Sequence, residues 1–111
     1  MTIYGSNRRG KGRAKRELGV QLRSANEVKQ VYTVDFSTGG VKVAGAMLRL
    51  AIGDLVELII EKSGGLLSFP GKVARADGMH RINRIGRDGA AFFIRILDEK
   101  FVEYVKANFS M

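Results

Sequence analysis

Residues 31–44 read Val31-Tyr32-Thr33-Val34-Asp35-Phe36-Ser37-Thr38-Gly39-Gly40-Val41-Lys42-Val43-Ala44, and this stretch decides the fold. Tyr32, Val34 and Phe36 alternate with Val31, Thr33 and Asp35, the period-two pattern of a half-buried strand. With Tyr32, Val34 and Phe36 turned to a core, Asp35 and Ser37 share the opposite face at the end of the strand. Gly39 and Gly40 are expected to supply the turn, because glycine reaches positive φ at little steric cost and leaves its N–H approachable. Val41 and Val43 alternate with Lys42 and Ala44 as the returning strand of a hairpin. A carboxylate, a hydroxyl and a bare backbone turn thus converge at one point, the pattern of a small polar ligand site.

The same alternation recurs on both sides. Leu18, Val20 and Leu22 predict a strand before the turn at residues 24–27, and residues 55–60 predict another after Gly53-Asp54. The turn Ser63-Gly64-Gly65 leads into residues 66–76, with a bend expected at Pro70-Gly71. A further strand is expected over 79–85, then a turn at Gly86-Arg87-Asp88-Gly89, then a last strand over 90–97. Phe92, Ile94 and Ile96 line one face of that strand, while Phe93 and Leu97 make the other partly apolar, so a cover is required. The C-terminal segment, about 98–109, is expected to provide it as a helix. Asp98 is its N-cap, Leu97 and Val102 form a staple, and Phe101, Val102, Val105 and Phe109 share one face. Six to seven short antiparallel strands, glycine turns and one terminal helix describe an all-β fold, a small barrel capped by a helix.

With 111 residues and 45% hydrophobic composition the chain holds one domain with its own core. It lacks cysteine, which excludes disulfides, thiolate metal sites and thiol catalysis. No apolar run approaches the ~20 residues of a membrane span, and no signal core is visible, so a cytoplasmic protein without membrane insertion is expected. The net charge of +8 is uneven: Arg8, Arg9, Lys11, Arg13, Lys15 and Arg16 precede the first acid, and the remainder carries 13 basic against 11 acidic residues. Residues 1–16 therefore read as a flexible basic arm and residues 17–111 as a nearly neutral barrel. Such an arm seeks an anion.

Catalysis finds little support. His80 stands in a basic and apolar strand and reads as a structural histidine, and the carboxylates show neither metal-ligand nor acid/base spacing. Gly10-Lys11-Gly12 neither follows a strand nor opens a helix, so it is no phosphate loop. No enzyme, metal or cofactor is expected.

Binding fares better. Arg9 and Arg13 can reach different parts of one ligand, four extended residues spanning ~13 Å. Arginine pairs bidentately with the O6 and N7 edge of guanine and with phosphate. A carboxylate such as Asp35 accepts from guanine N1–H and N2–H₂, and Ser37 with the N–H groups of Gly39 and Gly40 can add contacts. A ligand with two guanines and two phosphates would satisfy both halves best.

Arg9-x-x-x-Arg13, followed after two strands by Asp35-x-Ser37-x-x-Gly40, resembles the PilZ domain family of cyclic di-GMP receptors. Residues 13–22 enter the first strand at the family's usual distance, Gly89-Ala-Ala-Phe92 resembles the glycine-x-x-phenylalanine of its last barrel strand, and a C-terminal helix follows. The resemblance implies a PilZ-type barrel in which Arg9 and Arg13 grip guanine and phosphate, while Asp35, Ser37 and Gly40 hold guanine and the adjacent backbone. Arg8 is similar to the extra arginine of members that take up a stacked nucleotide dimer. Arg81, Arg84 and Arg87 read as a solvated strand face. A monomer or weak dimer is expected, whose arm closes on the ligand and relays the signal to a downstream protein, in motility or biofilm regulation. The alternative is a nucleic-acid-binding barrel that uses its basic arm on RNA; the near-neutral body and the lack of a stacking row of aromatics weigh against it.

Overall fold

The computed structural model describes residues 14–25 and 27–109. Among these residues the elements in chain order are β1 (Ala14–Lys15), β2 (Gly19–Arg23), β3 (Val28–Ser37), β4 (Gly40–Gly45), β5 (Leu55–Lys62), β6 (Gly65–Ile82), β7 (Arg87–Ile96) and α1 (Lys100–Phe109). All pairings are antiparallel. β2 pairs with β3 and β5, β5 with β6, β6 with β7, β7 with β4, and β4 with β3, so six strands close into a barrel. Closure leaves no edge within this ring. β1 adds to β3 beyond the end of β2, with Ala14 opposite Phe36 and Lys15 opposite Asp35. The segment expected to be a free arm as far as Arg16 is therefore held to the sheet from Ala14 onward.

The facing of β3 differs from the simple alternation. Val31 and Thr33 point into the barrel, fully buried, and Phe36 does so again three residues later. A bulge between Thr33 and Asp35 inserts Val34 as an unpaired extra residue, which shifts the side-chain phase. Tyr32 and Val34, expected in the core, instead pack outside with Ala44, Ile82 and Ala91. That outer cluster exists because the β6–β7 hairpin leans over β3 and β4. β6 is one strand of 18 residues rather than two. Its irregularities fall between Val73 and Arg75 and between Ala76 and Met79, not at Pro70-Gly71, and Gly78 at φ 73 lies within the second. Gly71 serves packing, since a Cβ there would stand 2.7 Å from Ile94. The hairpin turns at residues 83–86, closed by Gly86 at φ 69, and not at residues 86–89. Asp88 and Gly89 belong to β7.

α1 closes one end of the barrel. Asp98 caps it as expected, its Oδ1 accepting from the Lys100 N–H at 2.9 Å. Phe101 and Val105 are fully buried. Rings from the helix meet rings from the barrel: Phe36 to Phe109 at 4.5 Å, Phe69 to Phe101 at 5.2 Å and Phe69 to Tyr104 at 5.8 Å between centroids. The helix thus covers Phe36 and Phe69 rather than the outer face of β7. Leu97 is left 54% exposed, so it makes a poor staple.

Candidate functional site

The organising hairpin is tight. Ser37 pairs with Gly40 across the two-residue turn Thr38-Gly39, so Asp35 comes opposite Lys42. Neither Gly39 nor Gly40 has positive φ, contrary to the expected reason for their presence. Gly40 is glycine because a Cβ would lie 2.2 Å from the Ile94 carbonyl oxygen and 2.8 Å from Phe93 Cζ. Gly39 has open space around it. The Ser37 hydroxyl donates to the Gly40 carbonyl at 3.3 Å.

Asp35 is buried, at 8% exposure, in the wall of a cavity of about 480 Å³. Three parts of the chain build it. β3 and β4 supply a floor of Thr33, Val34, Asp35 and Lys42; Lys15, Arg16 and Glu17 form one side; His80 and Asn83 of the overhanging hairpin form the other. Thr33 fixes the first side. Its hydroxyl accepts from the Leu18 N–H at 2.9 Å and donates to the Arg16 carbonyl, so a buried side chain replaces the ladder bonds where the chain passes from β1 to β2. Glu17 fixes the second side. Its carboxylate accepts from the backbone N–H groups of Asn83 at 2.9 Å and Arg84 at 2.8 Å, clipping the hairpin turn to the root of the N-terminal segment.

Charge is organised around Asp35 and Lys42. The Lys42 ammonium lies 3.2 Å from Asp77, which also holds Arg75 through Nε at 2.6 Å and Nη2 at 3.1 Å. The hydrogen bond from Arg75, helped by Lys42, keeps the Asp77 carboxyl below the usual carboxylate range despite its burial. The bond to Asp77 correspondingly raises Arg75, and the charge of Asp35 adds to the effect. Asp77 is therefore ionised at neutral pH and the cluster holds two cations near two carboxylates.

The structure brings Asp35, Ser37, Gly39 and Gly40 together on one hairpin. Arg8, Arg9 and Arg13 lie outside the described residues. Arg81, Arg84 and Arg87 are exposed on the β6–β7 hairpin. Sequence reading missed Lys42, whose place opposite Asp35 follows from counting back across a two-residue turn. It also missed Glu17, Arg75, Asp77, His80 and Asn83, which only the long-range lean of the hairpin brings near. His80, expected as a satisfied or exposed structural histidine, is exposed and lines the cavity. Among the described residues no group of three or more His, Asp or Glu side chains could hold a metal ion, and no helix is long and apolar enough to cross a membrane.

The fold and the site define a closed antiparallel barrel module with a charged groove beside β1. The sequence matches the PilZ domain over residues 7–105, and the chain belongs to the PilZ domain family. Three solved structures share the fold. The PilZ domain of CeSA from a cellulose-synthesizing bacterium has TM-score 0.60 and 21% identity, with 86% of this chain and 92% of that one covered. The Bacillus subtilis inhibitor of motility MotI/DgrA has TM-score 0.55 and 20% identity, with 83% of this chain covered but only 46% of that one. An uncharacterized Legionella protein has TM-score 0.50 and 13% identity, with 84% of each chain covered. No curated protein matches the chain.

Proposed function

We propose that this protein is a cyclic di-GMP receptor that acts by binding, not by catalysis. The observation that carries the reading is the pairing of Lys15 with Asp35 and of Ala14 with Phe36. That pairing places Ala14, which directly follows the Arg9-x-x-x-Arg13 motif in sequence, beside the strand that bears Asp35 and Ser37. On the proposed reading, the two motifs, 22 residues apart between Arg13 and Asp35, address one ligand.

In this reading the Asp35 carboxylate accepts from the N1–H and N2–H₂ edge of one guanine. Arg9 and Arg13 supply donors to O6, N7 and the phosphates, with Arg8 available to a second, stacked nucleotide. Lys42 faces the phosphates from the floor. The Ser37 hydroxyl reaches the ligand by rotating away from the Gly40 carbonyl, and the turn at Gly39 and Gly40 leaves room for the nucleotide backbone. Closure of the N-terminal segment over the groove changes the surface that a downstream protein reads, and the response is handed on in the cytoplasm to a system such as motility or biofilm formation. Inhibition of motility by MotI/DgrA, a neighbour in fold, fits an adaptor of this kind.

Each charge-assisted hydrogen bond contributes roughly 1.5–3 kcal/mol, so Asp35→Ala is expected to weaken binding about 10- to 100-fold. Calorimetric titration with cyclic di-GMP, with GTP and a short RNA as controls, tests the reading. Saturable binding confined to cyclic di-GMP and lost in Asp35→Ala and Arg9→Ala is expected. Binding of RNA that falls steeply with salt and ignores Asp35→Ala would assign the chain to the nucleic-acid class instead.

A further inference from the structure

The outer face of the barrel continues the site beyond Asp35. Asp35 pairs with Lys42, Lys42 with Phe93 and Phe93 with Arg75. Four residues on four adjacent strands thus form one row, which at ~4.8 Å per strand runs roughly 14 Å. Lys42 and Phe93 point outward because their neighbours Val41, Val43, Phe92 and Ile94 fill the core. The Arg75 guanidinium stands over the Phe93 ring, 5.0 Å from its centroid, and is gripped along one edge by both oxygens of Asp77. The tip of the same ring lies over Gly40, the last residue of the Asp35-x-Ser37-x-x-Gly40 motif.

A phenyl ring on the outside of a barrel and a cation fixed above it need a reason. Ion pairing explains Arg75 with Asp77 but leaves Phe93 unexplained, and the core does not use that ring. The Arg75 side chain remains 54% exposed while its carboxylate partner is 13% exposed. The grip of Asp77 therefore holds the guanidinium in a set orientation and leaves much of it open to solvent. A fixed planar cation beside an aromatic ring is a surface on which a nucleobase stacks.

We infer that Arg75 and Phe93 form a second base subsite, on which one purine of a two-base ligand stacks while Asp35 holds the other. Lys42, between the two in the row, faces the phosphates that join them. Asp77 is a positioning residue, since it sets the guanidinium plane without touching the ligand. The inference rests on the cyclic di-GMP reading and extends it, because a row of this length suits a ligand with two bases better than a mononucleotide.

Arg75→Lys separates stacking from charge: it keeps the cation but loses the plane and the two-point grip. In titrations with cyclic di-GMP, Arg75→Lys and Arg75→Gln are each expected to bind about tenfold more weakly than the unaltered chain. The loss in Arg75→Lys should persist as salt rises, and both variants should keep the strand circular-dichroism spectrum and cooperative melting of a folded chain. Binding by Arg75→Lys equal to that of the unaltered chain, while Asp35→Ala loses binding, would overturn the second subsite and leave the receptor reading standing. Absence of binding by the unaltered chain would overturn both.

Discussion

Local geometry accounts for the residues at positions 40 and 33, Gly40 and Thr33. A methyl group on Gly40 would stand 2.2 Å from the Ile94 carbonyl oxygen and 2.8 Å from Phe93, so β4 and β7 must part to admit it. Gly40→Ala is expected to destabilise the fold by about 1–3 kcal/mol, read as a lower denaturation midpoint. Ser37→Ala, which removes only the hydroxyl bound to Gly40, should change stability far less. Thr33 satisfies two backbone groups where the chain leaves the ladder. Thr33→Val keeps the shape but strands both, a loss of about 1–3 kcal/mol, and denaturant titration measures it. Asp77 gives a prediction in pH. Its folded-state carboxyl is held below the ordinary value by Arg75 and Lys42, so its contribution is complete above about pH 4, where the unfolded carboxyl ionises. That contribution is lost as pH falls further, through the depressed folded value. The denaturation midpoint of Asp77→Asn should therefore fall less than that of the unaltered chain between pH 5 and the acid limit (about pH 2); parallel decline would show that the pairing does not stabilise the fold.

At the scale of elements, the overhang of the β6–β7 hairpin makes the groove. Two irregularities in β6 bend it, Ile82 anchors it on Tyr32, Val34, Ala44 and Ala91, and Glu17 clips its turn. Glu17→Ala leaves the N–H groups of Asn83 and Arg84 to solvent, and amide exchange there should accelerate about tenfold with little change in the barrel strands. Unchanged exchange at those two amides would show that the clip carries no weight. The helix packs on the barrel interior at the end that holds Phe36. Phe101 is 1% exposed and meets both Phe36 and Phe69, so Phe101→Ala is expected to destabilise the protein by about 3–5 kcal/mol, measured by chemical denaturation. Arg16 joins the two regions, its guanidinium 5.7 Å from the Phe109 ring centroid and its carbonyl bound by Thr33 beside the groove.

For the whole molecule, local pattern revealed the barrel, the terminal helix with its Asp98 cap, and the hairpin that carries Asp35 and Ser37. These depend on neighbours a few residues apart, where alternation and capping act. The facing of Tyr32 and Val34 was illegible because a bulge changes phase without a glycine or proline to mark it. The single long β6, expected as two strands over 66–76 and 79–85, runs on through Asp77-Gly78 because the backbone absorbs that pair as an irregularity within a paired strand. Lys42 could have been placed from the two-residue turn. Arg75, Asp77 and Asn83 could not, since contacts across four strands bring them to the groove and no local spacing records those contacts.

The central claim is that one groove, framed by Lys15, Asp35, Lys42 and the hairpin at His80 and Asn83, receives the dinucleotide. Backbone amide shifts of isotope-labelled protein during titration with cyclic di-GMP test it most directly. Saturable changes should concentrate at Lys15, Asp35, Lys42, Arg75, His80 and Asn83, with the turn at Ser63 and Gly64 and the loop around Ile52 unmoved. Saturable changes centred on those distant loops, or no changes at saturating ligand, would contradict it.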